Sequence, residues 1–328
     1  MRMFRARGTP PAGRARTKLF TAADIHGSDV CFRKFINAGR FYKVDALVLG
    51  GDVTGKALVP VVRMPDGRYR VRFMGRDHQV AGAELEELER LIRFNGFYPY
   101  RCEEAEVSSM RSDREVVDDA FGSAMRAQLS DWMKLADERL DGNGISCYVM
   151  PGNDDEEFVG EAIDAAQLVC NHDERVADFA DYKMVGYGWS NRTPWDTPRE
   201  KPEEAIESDL RRVMSQAGDP SRVILNAHVP PYDTGLDQAP ELRDDLTMVT
   251  RAGHPNMVPV GSTAVRRIIE EFQPLLALSG HIHESRGTTR IGRTVCVNPG
   301  SEYNVGRLLG AIVELNGAEV SDVQLVTG

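Results

Sequence analysis

Five short polar stretches carry residue types that bind divalent cations: Asp24-Ile25-His26, Gly51-Asp52, Gly152-Asn153-Asp154, His228, and Gly280-His281-Ile282-His283. Carboxylate, imidazole and amide oxygen together suit manganese, iron, zinc or nickel, and no cysteine stands among them to favour a soft-metal site. Four of the seven histidines fall in these stretches. Asp24/His26 and His281/His283 are spaced i, i+2. In extended backbone that spacing points both side chains to one side, so one turn can offer two ligands to one site. Each stretch alone is weak, since a lone D-x-H or G-H-x-H is more often accidental. Their conjunction is strong, because each follows an apolar run.

Those runs are the elements that must position the polar residues. Residues 18–23 lead into Asp24, 44–49 into Gly50-Gly51-Asp52, 145–150 into Pro151-Gly152-Asn153, 223–227 into His228, and 275–278 into Ser279-Gly280-His281. Each reads as a buried strand whose C-terminal end opens into a functional loop, where α/β architecture places its sites. Periodicity predicts helices over 28–38 and 265–272, and over 155–166, where acidic residues suit the positive end of a helix. The last third is more β-like, with runs at 289–297 around Gly292, 309–315 and 320–326. Residues 57–144 break the rhythm. A hairpin over 59–64 and 68–73 turns at Pro65-Asp66-Gly67, and helical patterns follow at 83–94 and 114–140. This stretch reads as an insertion forming a cap or an interaction surface, with plain stabilising elaboration as the alternative.

The ordered pattern D-x-H, G-D, G-N-D, H and G-H-x-H resembles the calcineurin-like metallophosphoesterase superfamily, in particular its small bacterial phosphodiesterase-like branch. The resemblance covers residues 18–55 and 147 to about 315. It implies an α/β fold: a four-layer αββα sandwich of two mixed β-sheets flanked by helices, here with the hairpin-plus-helix insertion. It also implies that Asp24, His26 and His283 hold one metal, that Asn153, His228 and His281 hold another, and that Asp52 bridges them. Two divalent ions carry four positive charges, and only two of these seven ligands are carboxylates. The surplus would attract a phosphate anion, stabilise charge growing on its oxygens, and leave a hydroxide ready for in-line attack. The expected activity is therefore hydrolysis of a small nucleotide-like or other phosphodiester with two divalent ions, manganese first. A fold that has kept the ligands but acts as a catalytically silent scaffold is the alternative.

Several residues depart from the family pattern or stand outside it. Many relatives carry histidine after the asparagine to protonate the leaving group; here Asp154 stands there, either as a general acid of raised pKa, or with leaving-group protonation weak or supplied elsewhere, or simply as a cap for the next helix. The second motif continues Gly51-Asp52-Val53-Thr54-Gly55-Lys56 without the D-R-G of protein phosphatases, which disfavours a phosphoprotein substrate. Arg192, in a glycine-spaced polar loop, could grip a phosphate or be a surface arginine. His254 could touch substrate or supply the missing acid, or be an exposed loop residue. The prolines of His228-Val229-Pro230-Pro231 would stiffen a ligand-bearing loop, and Asn298-Pro299-Gly300-Ser301 would shape the site floor. His78 and His172 read as structural.

Composition bounds the rest. The 328 residues are 41% hydrophobic and 27% charged, enough for a sizeable core, and no apolar run suggests a membrane span. A net charge of −10 argues against general nucleic-acid binding. Five scattered cysteines fit reduced thiols in the cytoplasm. Residues 1–17 read as a disordered basic tail without a secretory h-region, a transit or docking segment being the alternative. Self-association through the insertion is the partner expectation besides substrate.

Overall fold

The computed structural model describes residues 16–328; the basic tail expected over 1–17 lies, up to residue 15, outside them. Alternating apolar residues build two six-stranded mixed sheets. The first comprises β1 (Thr17–Ala22), β2 (Ala46–Gly50), β7 (Ser146–Met150), β8 (Val169–Asn171), β19 (Leu309–Asn316) and β20 (Glu319–Thr327), ordered β20-β19-β1-β2-β7-β8. The second comprises β9 (Val176–Phe179), β10 (Tyr182–Tyr187), β11 (Val223–Ala227), β16 (Leu276–Leu278), β17 (Gly287–Ile291) and β18 (Thr294–Asn298), ordered β17-β18-β16-β11-β10-β9. Strands β1, β2, β7 and β8 run parallel, as do β10, β11, β16 and β18. Parallel pairing brings their C-terminal ends, and the polar stretches that follow, to one edge of each sheet.

The period of two sorts the strand residues into layers. Leu19, Ala46, Val48 and Tyr148 face Ile224, Leu276, Leu278, Val295 and Val297 in the core between the sheets. Their neighbours Phe20, Leu47, Leu49, Cys147 and Val149 turn outward against α1 (Asp29–Phe41), the second half of α4 (Arg114–Leu140) and α5 (Phe158–Asp164). On the other side Val185, Val223, Leu225 and Ala277 pack under α6 (Glu203–Met214) and α7 (Thr263–Phe272). The result is the α/β sandwich, helix on sheet on sheet on helix. Local chemistry starts the helices: Ser28 caps α1 at the Cys31 N–H, Asp113 caps α4 at the Glu115 N–H, and Ser262 caps α7 at the Val265 N–H.

The stretch 57–144 is more than a hairpin and helices. β3 (Ala57–Arg63), β4 (Tyr69–Phe73), β5 (Arg76–Val80) and β6 (Phe97–Cys102) form a sheet ordered β5-β4-β3-β6, with α2 (Gly82–Phe94) and α3 (Glu104–Ser112) beside it. Val59, Val61, Val71, Phe73, Leu85, Leu88 and Ile92 give it a small core of its own. It is not independent of the sandwich, because α4 belongs to both. Phe121 meets Tyr98 of β6 edge-on at 5.5 Å, and one helical stretch later Trp132 stacks on Phe32 of α1 at 4.4 Å. Two ribbons complete the chain, β12 (Gln238–Pro240) with β15 (Met257–Pro259) and β13 (Thr250–Arg251) with β14 (His254–Pro255). Among the described residues no helix is long and apolar enough to cross a membrane.

His172, fully buried where β8 ends, bridges the sheets through a 2.8 Å contact from its Nε2 to the Asn226 amide of β11. Burial holds its pKa down at about 4. The folded state therefore refuses a proton that the unfolded chain accepts near pH 6.5. Its contribution is complete above that pH and is lost as pH falls toward 4, for about 3 kcal/mol in all. Replacing His172 with Asn should flatten the fall of the denaturant midpoint between pH 6.5 and 4; an unchanged slope would contradict this.

Candidate metal centre

The five polar stretches converge. His26 Nε2 and His283 Nε2 lie 3.1 Å apart, with Asp24 Oδ1 3.7 Å from His283 Nε2. Asp52 faces two ways: its Oδ2 is 3.6 Å from His26 Nε2 and its Oδ1 3.4 Å from His228 Nε2. Donor atoms of Asp24, His26 and His283 lie within 4.8 Å of one another, and so do those of Asp52, His228 and His281. His228 Nε2 is 2.8 Å from Asn153 Oδ1. Asp24, His26, Asp52, Asn153 and His228 are buried. This cluster could hold a metal ion.

The contact between His228 and Asn153 bears on that directly. His228 Nδ1 lies 2.8 Å from the Gly50 carbonyl, which can only accept, so Nδ1 carries the proton. The Asn153 amide nitrogen donates to Thr197 Oγ1 at 2.8 Å, and that hydroxyl is itself committed to Glu200. Asn153 Oδ1 can therefore only accept, and the contact with His228 Nε2 takes either a second proton on the imidazole, as its pKa of about 9 provides, or a cation between the two atoms. The donor set fits a divalent cation that takes nitrogen and oxygen ligands.

Backbone geometry explains the loop sequences. Asp24, His26, Asp52 and His281 have φ of 55°, 39°, 50° and 64°, left-handed conformations costing about 1–3 kcal/mol each for such residues. The extended backbone expected for the i, i+2 pairs is thus not what joins them. Tight turns past the strand ends do, and they send His281 and His283 to different halves of the cluster. Hydrogen bonds offset the strain: Asp24 N–H to Gly51 O (3.0 Å), His26 N–H to Asp52 O (2.9 Å), Gly280 N–H to His228 O (2.9 Å), and the His281 N–H to the Asp24 carboxylate (3.0 Å). The motif glycines make room. A Cβ on Gly51 would strike the His228 ring, and one on Gly152 the Asp52 carboxylate. The third sheet closes in as well, since Gly27, Gly55 and Gly96 meet backbone to backbone beneath His26.

Burial opposes every charge here, and the partners decide the outcome. It presses His26 down to about 3 and His281 to about 4. Burial would also lower His228, but the charge and hydrogen bond of Asp52 lift it to about 9. Burial would raise Asp24 and Asp52, yet His283 and His228 respectively carry them below the ordinary carboxylate range. Asp154 goes the other way, to about 6, through burial and the neighbouring Asp52.

Asp154 stands at the rim, its Oδ2 3.8 Å from His26 Nδ1 and 2.6 Å from Lys56 Nζ. It is not a helix cap: α5 starts only at Phe158, later than the pattern over 155–166 implied, and Glu157 takes the cap position. The acid at the turn, Asp155, is instead fully buried and accepts the N–H groups of Gly152, Val53 and Thr54 and the Thr54 hydroxyl. It ties the G-D loop to the G-N loop, a role missed in the sequence. Arg192 is exposed on the loop after β10, the surface position that was its alternative reading, and Thr197 of that loop accepts from the Asn153 amide. His254 lies exposed in the β13–β14 ribbon, in keeping with the exposed-residue alternative. Tyr303, also missed, lays its ring 4.6 Å from that of His26. Asn298 donates to the carbonyls of Gly280 and Ile282, and Ser301 Oγ to that of Asp24, so this segment does floor the site.

No family model matches the chain. Solved structures share its fold, two of them with TM-scores just above 0.5. One is 18% identical with TM-score 0.53, and the other, TT1561 of Thermus thermophilus, is 14% identical with TM-score 0.51. Each alignment covers 95% of this chain and 98% of the other. In sequence, the chain is 32% identical over 197 residues to "Uncharacterized protein MJ1162" of Methanocaldococcus jannaschii, spanning 58% of this chain and 77% of that protein. On that similarity, the chain belongs to the same family as MJ1162.

Proposed function

We propose that the chain is a phosphoester hydrolase of the calcineurin-like metallophosphoesterase superfamily, working with two divalent cations on a small diester. The observation that carries this reading is the meeting of seven donor side chains from five strand ends, with Asp52 turning one oxygen to each half. Asp24, His26 and His283 would hold one cation, Asn153, His228 and His281 the other, and Asp52 would lie between. When bound, such cations supply Lewis-acid charge toward phosphoryl oxygens and lower the pKa of water.

The chain's own residues do the rest. Histidines 26 and 281, kept neutral by burial, present lone pairs rather than repelling a cation. Asp154, raised to about 6 by burial and Asp52, would pair with Lys56 when ionised and, in its protonated fraction, would hand the proton to the leaving oxygen. An open cavity of ≈ 710 Å³ lined by His283, Tyr303, Arg286 and Arg307 offers room for the organic part of the ester. Five cysteines without a disulfide suit the reducing cytoplasm that this reading assumes.

Purified protein with added Mn²⁺ should hydrolyse bis-p-nitrophenyl phosphate faster than p-nitrophenyl phosphate. The reverse preference would replace the diester assignment with a monoesterase. Absence of turnover with every divalent ion, together with no metal by elemental analysis, would favour a silent scaffold.

A further inference from the structure

We propose that Lys56 is a substrate-binding residue that grips a phosphoryl oxygen at the rim of the centre, an inference that rests on the phosphoesterase reading above. Its backbone is held rigidly. The N–H groups of Val53 and Thr54 are stapled to Asp155, the Gly55 N–H donates to Tyr98 Oη at 2.8 Å, and a Cβ on Gly55 would run into the Gly96 carbonyl. The side chain from that fixed root is half exposed, at 49%, yet its ammonium turns inward to Asp154 Oδ2 at 2.6 Å. The same oxygen lies 3.8 Å from His26 Nδ1, so the positive charge sits beside the metal ligands.

With the Lys56 end half exposed to solvent, the ion pair is screened and contributes little to stability, so holding up the fold is a poor account of it. Asp154 engages one of the three ammonium N–H donors, which leaves two for the oxygens of an anion entering from solvent. Tyr303 borders the same space: its ring packs on His26 and His283, and the charges acting on its hydroxyl include those of Lys56, Asp154 and Asp52. Tyr303 also lines the open cavity with His283, so a phosphate held at Lys56 would have its organic group on the side where there is room. A lysine is a compact point charge, suited to a phosphoryl oxygen whose partners vary from substrate to substrate.

The probe is inorganic phosphate, titrated by calorimetry into Mn²⁺-loaded protein, with metal content measured on each sample. Lys56→Met should weaken phosphate about ten- to a hundred-fold, as expected for one charge-assisted hydrogen bond, while metal content stays at the wild-type level. Lys56→Arg should recover most of the affinity. Lys56→Met with Asp154→Asn should stay weak. Wild-type affinity in the single Met variant, or its return in the double variant, would overturn the proposal; the latter would mean that Lys56 only neutralises Asp154. If wild-type protein hydrolyses the diester while the Met variant binds phosphate normally, only this inference falls. If loaded wild-type protein neither binds phosphate nor hydrolyses any ester, both fall.

Discussion

Replacing Asp52 with Asn is expected to cut phosphodiester turnover on the order of a thousand-fold or more while the protein stays folded. Removing a group that merely supports a ligand costs about ten- to a hundred-fold in metal affinity or activity. Asp52 would do more, because its two oxygens face His26 and His228 on opposite halves of the cluster. Asn keeps the shape and one oxygen, so the 3.0 Å hydrogen bond from the Asp154 N–H can survive. The charge is what disappears, and with it half of the carboxylate balance that Asp24 and Asp52 supply. Elemental analysis should find less than the wild-type metal content, and circular dichroism should be unchanged. Full turnover in this variant would remove Asp52 from the centre and take the two-cation mechanism with it.

Asp155→Ala should be strongly destabilising, at about 2–5 kcal/mol, because it leaves several buried donors without a partner. The side chain is fully buried and receives donors at 2.7, 2.8 and 2.9 Å from three backbone N–H groups and at 2.5 Å from the Thr54 hydroxyl. Each buried donor left without a partner costs about 1–3 kcal/mol, less when the loop relaxes to reach water. Relaxation would itself be damaging, since Val53 and Thr54 follow Asp52 and Gly152 precedes Asn153. Denaturant unfolding should show the loss and elemental analysis a parallel fall in bound metal. A loss under about 1 kcal/mol would mean that the four hydrogen bonds are not holding the two loops together.

The sandwich was legible in the sequence because its strands are apolar runs cut off by residues of opposite character. Each run that ends in a residue of metal-ligating type is a strand, and α4 spans the residues its pattern marks, with Asp113 capping its start. What escaped depended on distant chain segments. Asp155 reads locally as an acid at a helix start; only the fold encloses it under Val53 and Thr54, about a hundred positions earlier. β6 and α3 drew no prediction, since Phe97–Cys102 is a strand chiefly by pairing with β3. Likewise the i, i+2 pairs do meet in the cluster, but not through extended backbone. Left-handed backbone at Asp24, His26 and His281 is set by loop-to-loop hydrogen bonds that no local pattern encodes.

The contact of Gly27, Gly55 and Gly96 makes the third sheet a mechanical part of the centre. With no side chains between the three main chains there is no cushion to absorb displacement. Gln128 of α4 reinforces the joint by donating to the Gly27 carbonyl. Grafting this module onto another scaffold, or trimming it away, would therefore disturb the pose of His26 before it changed anything else.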